Sequence, residues 1–422
     1  MFSNSLRNVK DKRLNFSWIE FAIIAFFSAC YMLPSFEKSF PFLILLGAKI
    51  LYMFFVGMVQ PKNSVYVLLS FVIFVFIGVI YALLTDTSTI SASVSNYEFK
   101  SAFSKFNQYF NMFFPAFITF RIAEFDDIFK KRLLLLIISA MLIYVIYVTI
   151  KEIEINPDIT RTWSGFGEAS ENNVASYYFI YAVPIIIGTF VICFNRCKSV
   201  LLKIFLVAII IYCFYFLLKA QYTLALLIAV IGLTIGLLKS FRSNMLKVAV
   251  LFIAVAILVF MGDILQLVAS KVESKQMATR LEELANFFTS GDATGYNLGA
   301  RLSLYWRSIL AFFKSPIWGN RSLDFDGHAT FLTVLSDTGI IGGIPFYYLY
   351  FSMRRQIAET LKDKDGFFNV SFIMLVLMGL TNPIHAAYPV GFTVWFVVPL
   401  IIMVLNENKN NVKGDKNEQM GN

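Results

Sequence analysis

Only two histidines occur in the chain, His328 and His385, and each stands where a long apolar run meets polar sequence. An imidazole that titrates near neutrality can take a proton from a hydroxyl or, once charged, contact a phosphate. Upstream of His328 lie Asp324 and Asp326 and a series of cations: Arg301, Arg307, Lys314 and Arg321. A guanidinium matches phosphate oxygens with two parallel hydrogen bonds and keeps its charge, so a pyrophosphate is a natural partner for Arg301. A second arginine, Arg161, lies in NPDITRTWSGFGEASENN, between Thr160 and Thr162. Each residue also has a plainer reading. A lone histidine can simply close a helix end, Arg161 can be an ordinary loop arginine, and Arg307 and Lys314 can be solvated or touch lipid headgroups.

The elements that must position these groups lie between Arg301 and Tyr350. From Arg301 to Lys314, Leu302, Tyr305, Trp306, Ile309, Leu310, Phe312 and Phe313 fall on one side at helical spacing. The apolar arc centres near Ile309, with Arg301 at its edge and Arg307 and Lys314 opposite. Ser315–Arg321, with Pro316 and Gly319, is a turn. An apolar, glycine-bearing segment follows His328, in which Thr330, Thr333 and Asp337 share a face. Asp337 would stand about 13 Å along that helix from His328, where an acid must face a cavity or a partner. Gly339 and Gly343 predict close helix packing. Lys49, Arg121 and Lys203 also fall in or near apolar runs; Lys203 can snorkel to an end, whereas Lys49 sits nearer the middle.

Composition sets the class. Of 422 residues, 58% are hydrophobic and 15% charged, and the mean hydropathy is +0.69. A water-soluble chain of this size would lack the polar surface to cover itself. The net charge of +9 could indicate nucleic acid, but the cations sit between apolar runs, so membrane topology explains them and no nucleic-acid partner is expected. Cys30, Cys193, Cys197 and Cys213 lie in or beside apolar segments without metal-ligand spacing, so neither a disulfide nor a metal site is expected. The basic start leads into a full apolar span, read as an anchor that is kept.

At roughly 20 apolar residues per crossing, about twelve spans are expected. They lie near 17–36, 40–59, 64–84, 106–124, 133–150, 174–194, 199–218, 222–238, 247–263, 329–351, 367–385 and 389–405. Alternate loops are basic throughout, which puts both termini in the cytoplasm. The expected fold is therefore all-α, a polytopic integral membrane protein. Residues 1–263 would hold nine transmembrane helices and an outer loop at 151–173. Residues 264–328 would form a large outer loop with amphipathic helices, one of them at Lys275–Phe288. Residues 329–406 would hold three more spans, and 407–422 a disordered cytoplasmic tail. No Walker loop, GxGxxG, HExxH or GxSxG occurs, so no nucleotide or other cofactor is expected and any substrate must arrive activated.

The order Arg301, Trp306, Pro316, Gly319, His328, Phe331, Leu332, Leu335, Asp337, Gly339 and Gly342 resembles the O-antigen polymerase and O-antigen ligase superfamily. Arg161, Gly165, Asn172 and Ala175 are similarly in register with that family's Arg-x-x-Gly and Asn-x-x-Ala segment. The chain departs from the pattern at three places. Ala329 follows the histidine where Asn or Ser is usual; Asn320-Arg321 replaces a second turn glycine; and Gln221-Tyr222 stands where Ser-Arg is common. Arg321 or Lys219 would then supply the missing cation.

The resemblance implies a metal-independent glycosyltransferase of the GT-C type in the bacterial inner membrane, with its site on the periplasmic side. It implies undecaprenyl-pyrophosphate-linked glycans as donor and acceptor. A chain-length regulator and a flippase are the implied protein partners, beside the lipid bilayer itself. Arg161 and Arg301 would stabilise the leaving pyrophosphate, and His328 would accept the acceptor proton or orient a substrate. Arg321, Trp306, Asp326, Asp337, Asn172, Tyr222 and His385 would line the substrate. The same pattern is compatible with a ligase that transfers glycan to lipid A-core, and a flippase is the reading from another class. The alternating basic loops generate one direct expectation. In intact cells, an impermeant thiol reagent should label a cysteine placed at Asn297 and not one placed at Ser243; the reverse pattern would overturn the sidedness.

Overall fold

The computed structural model describes residues 17–59, 66–74, 76–77, 102–156, 159–160, 173–197, 199–220, 222–241, 243–271, 275–290, 296–320, 329–363, 366–382, 384 and 387–406. Every regular element among them is a helix. Besides the short helices Pro34–Lys38 and Tyr177–Ile180, they include α1 (Trp18–Met32), α2 (Phe42–Val59), α3 (Ala102–Phe113), α4 (Pro115–Ile122), α5 (Ile128–Ile155), α6 (Val183–Arg196), α7 (Val200–Ala220) and α8 (Thr223–Ser240). The chain continues through α9 (Asn244–Val259), α10 (Met261–Ala269), α11 (Lys275–Ser290), α12 (Tyr296–Lys314), α13 (Thr330–Leu361), α14 (Phe368–Thr381) and α15 (Tyr388–Asn406).

Local sequence sets several boundaries. Ser17 caps α1 by accepting from the Glu20 amide at 3.1 Å, and Pro34 follows just beyond its end. Pro115 divides the 106–124 run into α3 and α4, because a proline lacks the amide a helix interior needs. Asp127 caps α5, accepting from the Lys130 amide at 3.0 Å and pairing with the Lys130 ammonium at 2.8 Å. Burial alone would push this carboxyl up, but the hydrogen bonds from Lys130 outweigh it and hold Asp127 below its ordinary value.

Three described helices are long and apolar enough to cross a membrane: α5, α7 and α15. The pair α9 and α10, bent by 57°, makes a fourth if counted as one span. The expected count of about twelve is therefore not reached. Five further apolar stretches, Trp18–Met32, Leu43–Val59, Tyr178–Phe194, Leu224–Ser240 and Phe368–Thr381, stop short of 18 residues, and several runs that read as single spans are cut, at Pro34, Pro115 and the turn before Pro184. Seventeen residues of helix reach only about 25 Å, less than a hydrocarbon core. The surface nevertheless belongs in a membrane. On α7, Leu201, Ile204, Ile211 and Leu218 are all exposed, and comparable rows run along α2 and α9. Only 28% of the apolar window of α7 is buried in the protein, against 89% for α15, so α7 lines the periphery and α15 the centre.

Polar contacts gather at two ends of the bundle. At one, Arg121 pairs with Glu20 at 2.6 Å, Lys239 donates to the Gly366 carbonyl at 2.8 Å, and the Arg196 guanidinium lies 3.6 Å from the Phe367 ring centroid. At the other, the Asn173 side-chain oxygen accepts from the amide and hydroxyl of Ser35 at 3.1 and 2.6 Å. The Tyr222 hydroxyl donates to the Thr160 carbonyl there at 2.7 Å, and Tyr305 to the Thr381 carbonyl at 2.9 Å.

The feature that shapes this second end is a break in α13. Gly339 has φ 59° and ψ −155°, which separates Thr330–Thr338 from the rest of the helix. The turn after α12 fills the gap. The amides of Ile340 and Ile341 donate to the carbonyls of Pro316 and Ile317 at 2.8 and 3.3 Å, and the Asn320 amide donates to the Ser336 carbonyl at 2.8 Å. The expectation of helix packing at Gly339 and Gly343 is corrected accordingly. A side chain at 339 would meet the turn backbone at Ile317 and Gly319, and one at 343 would meet Leu335 of its own helix.

Gly339→Ala should therefore be severe. Its φ suits only glycine, and the added methyl would strike main-chain atoms that cannot yield, a combined cost of about 3 kcal/mol or more. Gly47→Ala, where nothing lies within 4 Å, should be neutral. Thermal unfolding of the two purified variants in detergent checks the contrast.

Candidate functional site

Below the second end, α13 carries the polar face read from its sequence. Thr330, Thr333 and Asp337 are all buried. The helix starts against the end of α14: the Thr330 amide and hydroxyl both donate to the Asn382 carbonyl at 3.1 Å. Asp337, 8% exposed, accepts from the Ser336 hydroxyl at 3.4 Å and stands two residues before the break. Asp337 and Tyr347 are polar neighbours of the Tyr109 phenol. Tyr347 donates across the break to the Phe331 carbonyl at 3.0 Å and its ring stacks on Phe331 at 5.7 Å, which braces the two halves of α13.

A second polar cluster lies about one helical turn beneath Ser35. Lys49 is only 2% exposed; its ammonium is 2.6 Å from the Asn111 side-chain oxygen and 4.7 Å from the Tyr31 ring centroid. Tyr31 in turn donates to the Asn111 carbonyl at 2.8 Å and stacks on Phe392 of α15 at 4.9 Å. A buried ammonium needs such an acceptor and ring face, because hydrocarbon supplies neither. Sequence reasoning marked Lys49 but missed Asn111. The signal was present, since an asparagine inside the apolar run NMFFPAF is itself an intramembrane polar residue. Arg121, by contrast, belongs to the ion pair with Glu20 at the opposite end.

The other predicted residues divide as follows. Tyr222 is buried, and its bond to Thr160 joins the start of α8 to the residue preceding Arg161 in the chain. Trp306 is 61% exposed, on the side of α12 away from Ser308 and Ala311, which are buried. The apolar arc centred on Ile309 is thus not the packed face. Leu310 and Phe313 point outward with Trp306, because in a membrane protein apolar character marks lipid contact as readily as core. Arg301 lies on α12, one turn before Tyr305 and two before Ser308 in helical register. Arg161, Asn172, Arg321, Asp326, His328 and His385 lie outside the described residues. Comparison of the chain with protein-family models finds no match, and comparison with curated proteins finds none either.

The described residues thus form two buried polar clusters inside an apolar bundle, one of threonine hydroxyls and a carboxylate on α13, the other an ammonium held by Asn111 and Tyr31. Within the Lys49 cluster the two sides of the pair should respond differently. Asn111→Leu strips a buried charge of its acceptor and should cost about 3 kcal/mol or more, whereas Lys49→Met removes the charge and should cost less. Melting temperatures of the two variants test the order.

Proposed function

We propose that the chain is a membrane glycosyltransferase that polymerises undecaprenyl-pyrophosphate-linked oligosaccharide repeat units into a surface polysaccharide. The reaction would take place at the outer face of the bacterial inner membrane, with both termini in the cytoplasm. One observation carries the reading. The described residues that flank 321–328 are both held against the first half of α13: Asn320 donates to Ser336, and Thr330, which opens the helix, donates to Asn382. The motif containing His328 is thus flanked on both sides by residues anchored at the helix half that carries the buried Asp337, Thr333 and Thr330. The Tyr222–Thr160 bond holds the residue before Arg161 at the end of the bundle where α13 begins.

In this reading the acceptor hydroxyl attacks the anomeric carbon, the bond to the lipid pyrophosphate breaks, and the anomeric centre inverts. His328 takes the hydroxyl proton. Arg301 and Arg161 hold the charge that develops on the leaving pyrophosphate, where fixed cations in a water-poor site are most effective. No metal is invoked, since the two guanidiniums supply the positive charge. Transfer to lipid A-core by a ligase would use the same groups. A second reading, movement of the lipid-linked unit across the membrane, is favoured by the broken α13 with Asp337 beside the break, since discontinuous helices line binding sites in transporters.

Purified protein given only lipid-linked repeat units should form longer glycans without ATP or added divalent metal. A requirement for a second protein to form any bond would favour transport or assembly. Arg301→Lys should lose most product, because the ammonium lacks the two-pronged geometry, while Arg307→Lys, at an exposed position, should be mild. His328→Ala should lower turnover by about 10²–10⁴-fold with donor binding largely kept, and His385→Ala should be clearly milder. Full polymer synthesis by His328→Ala at native protein levels would sink the assignment.

A further inference from the structure

We infer that α12 and the turn that follows form a re-entrant wedge seated in the lipid of the outer half of the bilayer, rather than a loop standing in water. The inference rests on the membrane embedding of the bundle and not on the chemistry proposed above.

Tyr305 is bonded to Thr381 at the level where α13 begins and α14 ends. The turn at Pro316–Asn320 is bonded to Ser336, Ile340 and Ile341, six to eleven residues further along α13. At 1.5 Å per residue that is about 10–15 Å below the bundle end, well inside a hydrocarbon layer about 30 Å thick. Between these two anchors α12 must descend.

Trp306, Leu310, Phe313, Ile317 and Trp318 are all exposed and form one stripe down the helix and around the turn. At its lower end the stripe meets Ile340 and Ile344, which are exposed on the second half of α13 beside the turn they bond. Lipid that covers α13 would therefore cover the wedge without interruption. Arg307, exposed two residues below the Tyr305 anchor, stands beside the stripe on a stem long enough to reach the phosphate level.

Non-helical backbone is tolerated at membrane depth only where protein supplies its hydrogen bonds. The turn meets that condition through its bonds to α13 and through the Gly319 amide, which donates to the Ser315 carbonyl at 2.8 Å.

The test uses the full chain reconstituted in phosphatidylcholine–phosphatidylglycerol vesicles. The four native cysteines are buried, so a thiol-reactive, environment-sensitive fluorophore can be placed at Trp306→Cys, Phe313→Cys, Ile317→Cys and, as a control, Asn286→Cys on α11. Nitroxide placed deep in the acyl chains should quench the labels at 313 and 317 several-fold more than the label at 286. Nitroxide near the headgroups should quench best at 306. Quenching at 313 and 317 no stronger than at 286 would overturn the inference. So would labels shielded from both lipid and aqueous quenchers, which would mean that another protein surface covers the stripe. No glycan is needed for this readout, so its outcome is independent of the glycosyl-transfer reading.

Discussion

The structure depends on how the free main-chain groups at Gly339 find partners. Interrupting a helix inside an apolar bundle frees amides and carbonyls where no water can reach them, at several kcal/mol for each group left alone. The carbonyls of Pro316 and Ile317 and the amide of Asn320 take up that role. The fit is reciprocal. A side chain at Gly319 would collide with the Asp337 carbonyl, and one at Gly339 would collide with Ile317 and Gly319. Two facing glycines thus allow two main chains to touch. The position of α12, the depth of Asp337 and the direction taken by the rest of α13 all follow from that contact.

Charge inside the bundle is handled in two ways. Arg121 keeps a full counter-charge, Glu20, and lies over the Phe125 ring at 4.6 Å, near the end of the bundle where the cost of desolvation is smallest. Lys49 meets an amide oxygen and an aromatic face, both of which stabilise an ammonium away from water.

Much of this was legible in the sequence. The α12 helix, the Pro-Gly turn and the buried face of Thr330, Thr333 and Asp337 follow from periodicity and from the punctuating residues. The structure extends α12 back to Tyr296 and α11 on to Ser290. The outward face of α12 was not legible, because hydropathy cannot distinguish a side chain that meets lipid from one that meets protein. The role of Gly339 was hidden for a related reason: in GIIGG a glycine that breaks a helix reads the same as one that lets helices approach. Close approach of one helix to another occurs elsewhere, where a side chain at Gly236 of α8 would press on the Gly188 carbonyl of α6 at 3.1 Å. The span count was too high in part because run length ignores prolines, which cut the chain at Pro34, Pro115 and before Pro184. Asn382 and Asn173 were missed because their roles come from carbonyl and side-chain contacts with residues distant in the chain.

The central helix α15 has a consequence for biosynthesis. It contacts α1, α3, α4, α6 and α14, all of which precede it in the chain, and Thr119 of α4 donates to the Trp395 carbonyl at its π-helical turn. Ribosomal synthesis therefore delivers the walls before the pillar. Until α15 is threaded between them, the earlier helices expose to lipid or to one another the surfaces that will later enclose Trp395, Phe392 and Phe396. The native packing around Trp395 can therefore be completed only after α15 has been made.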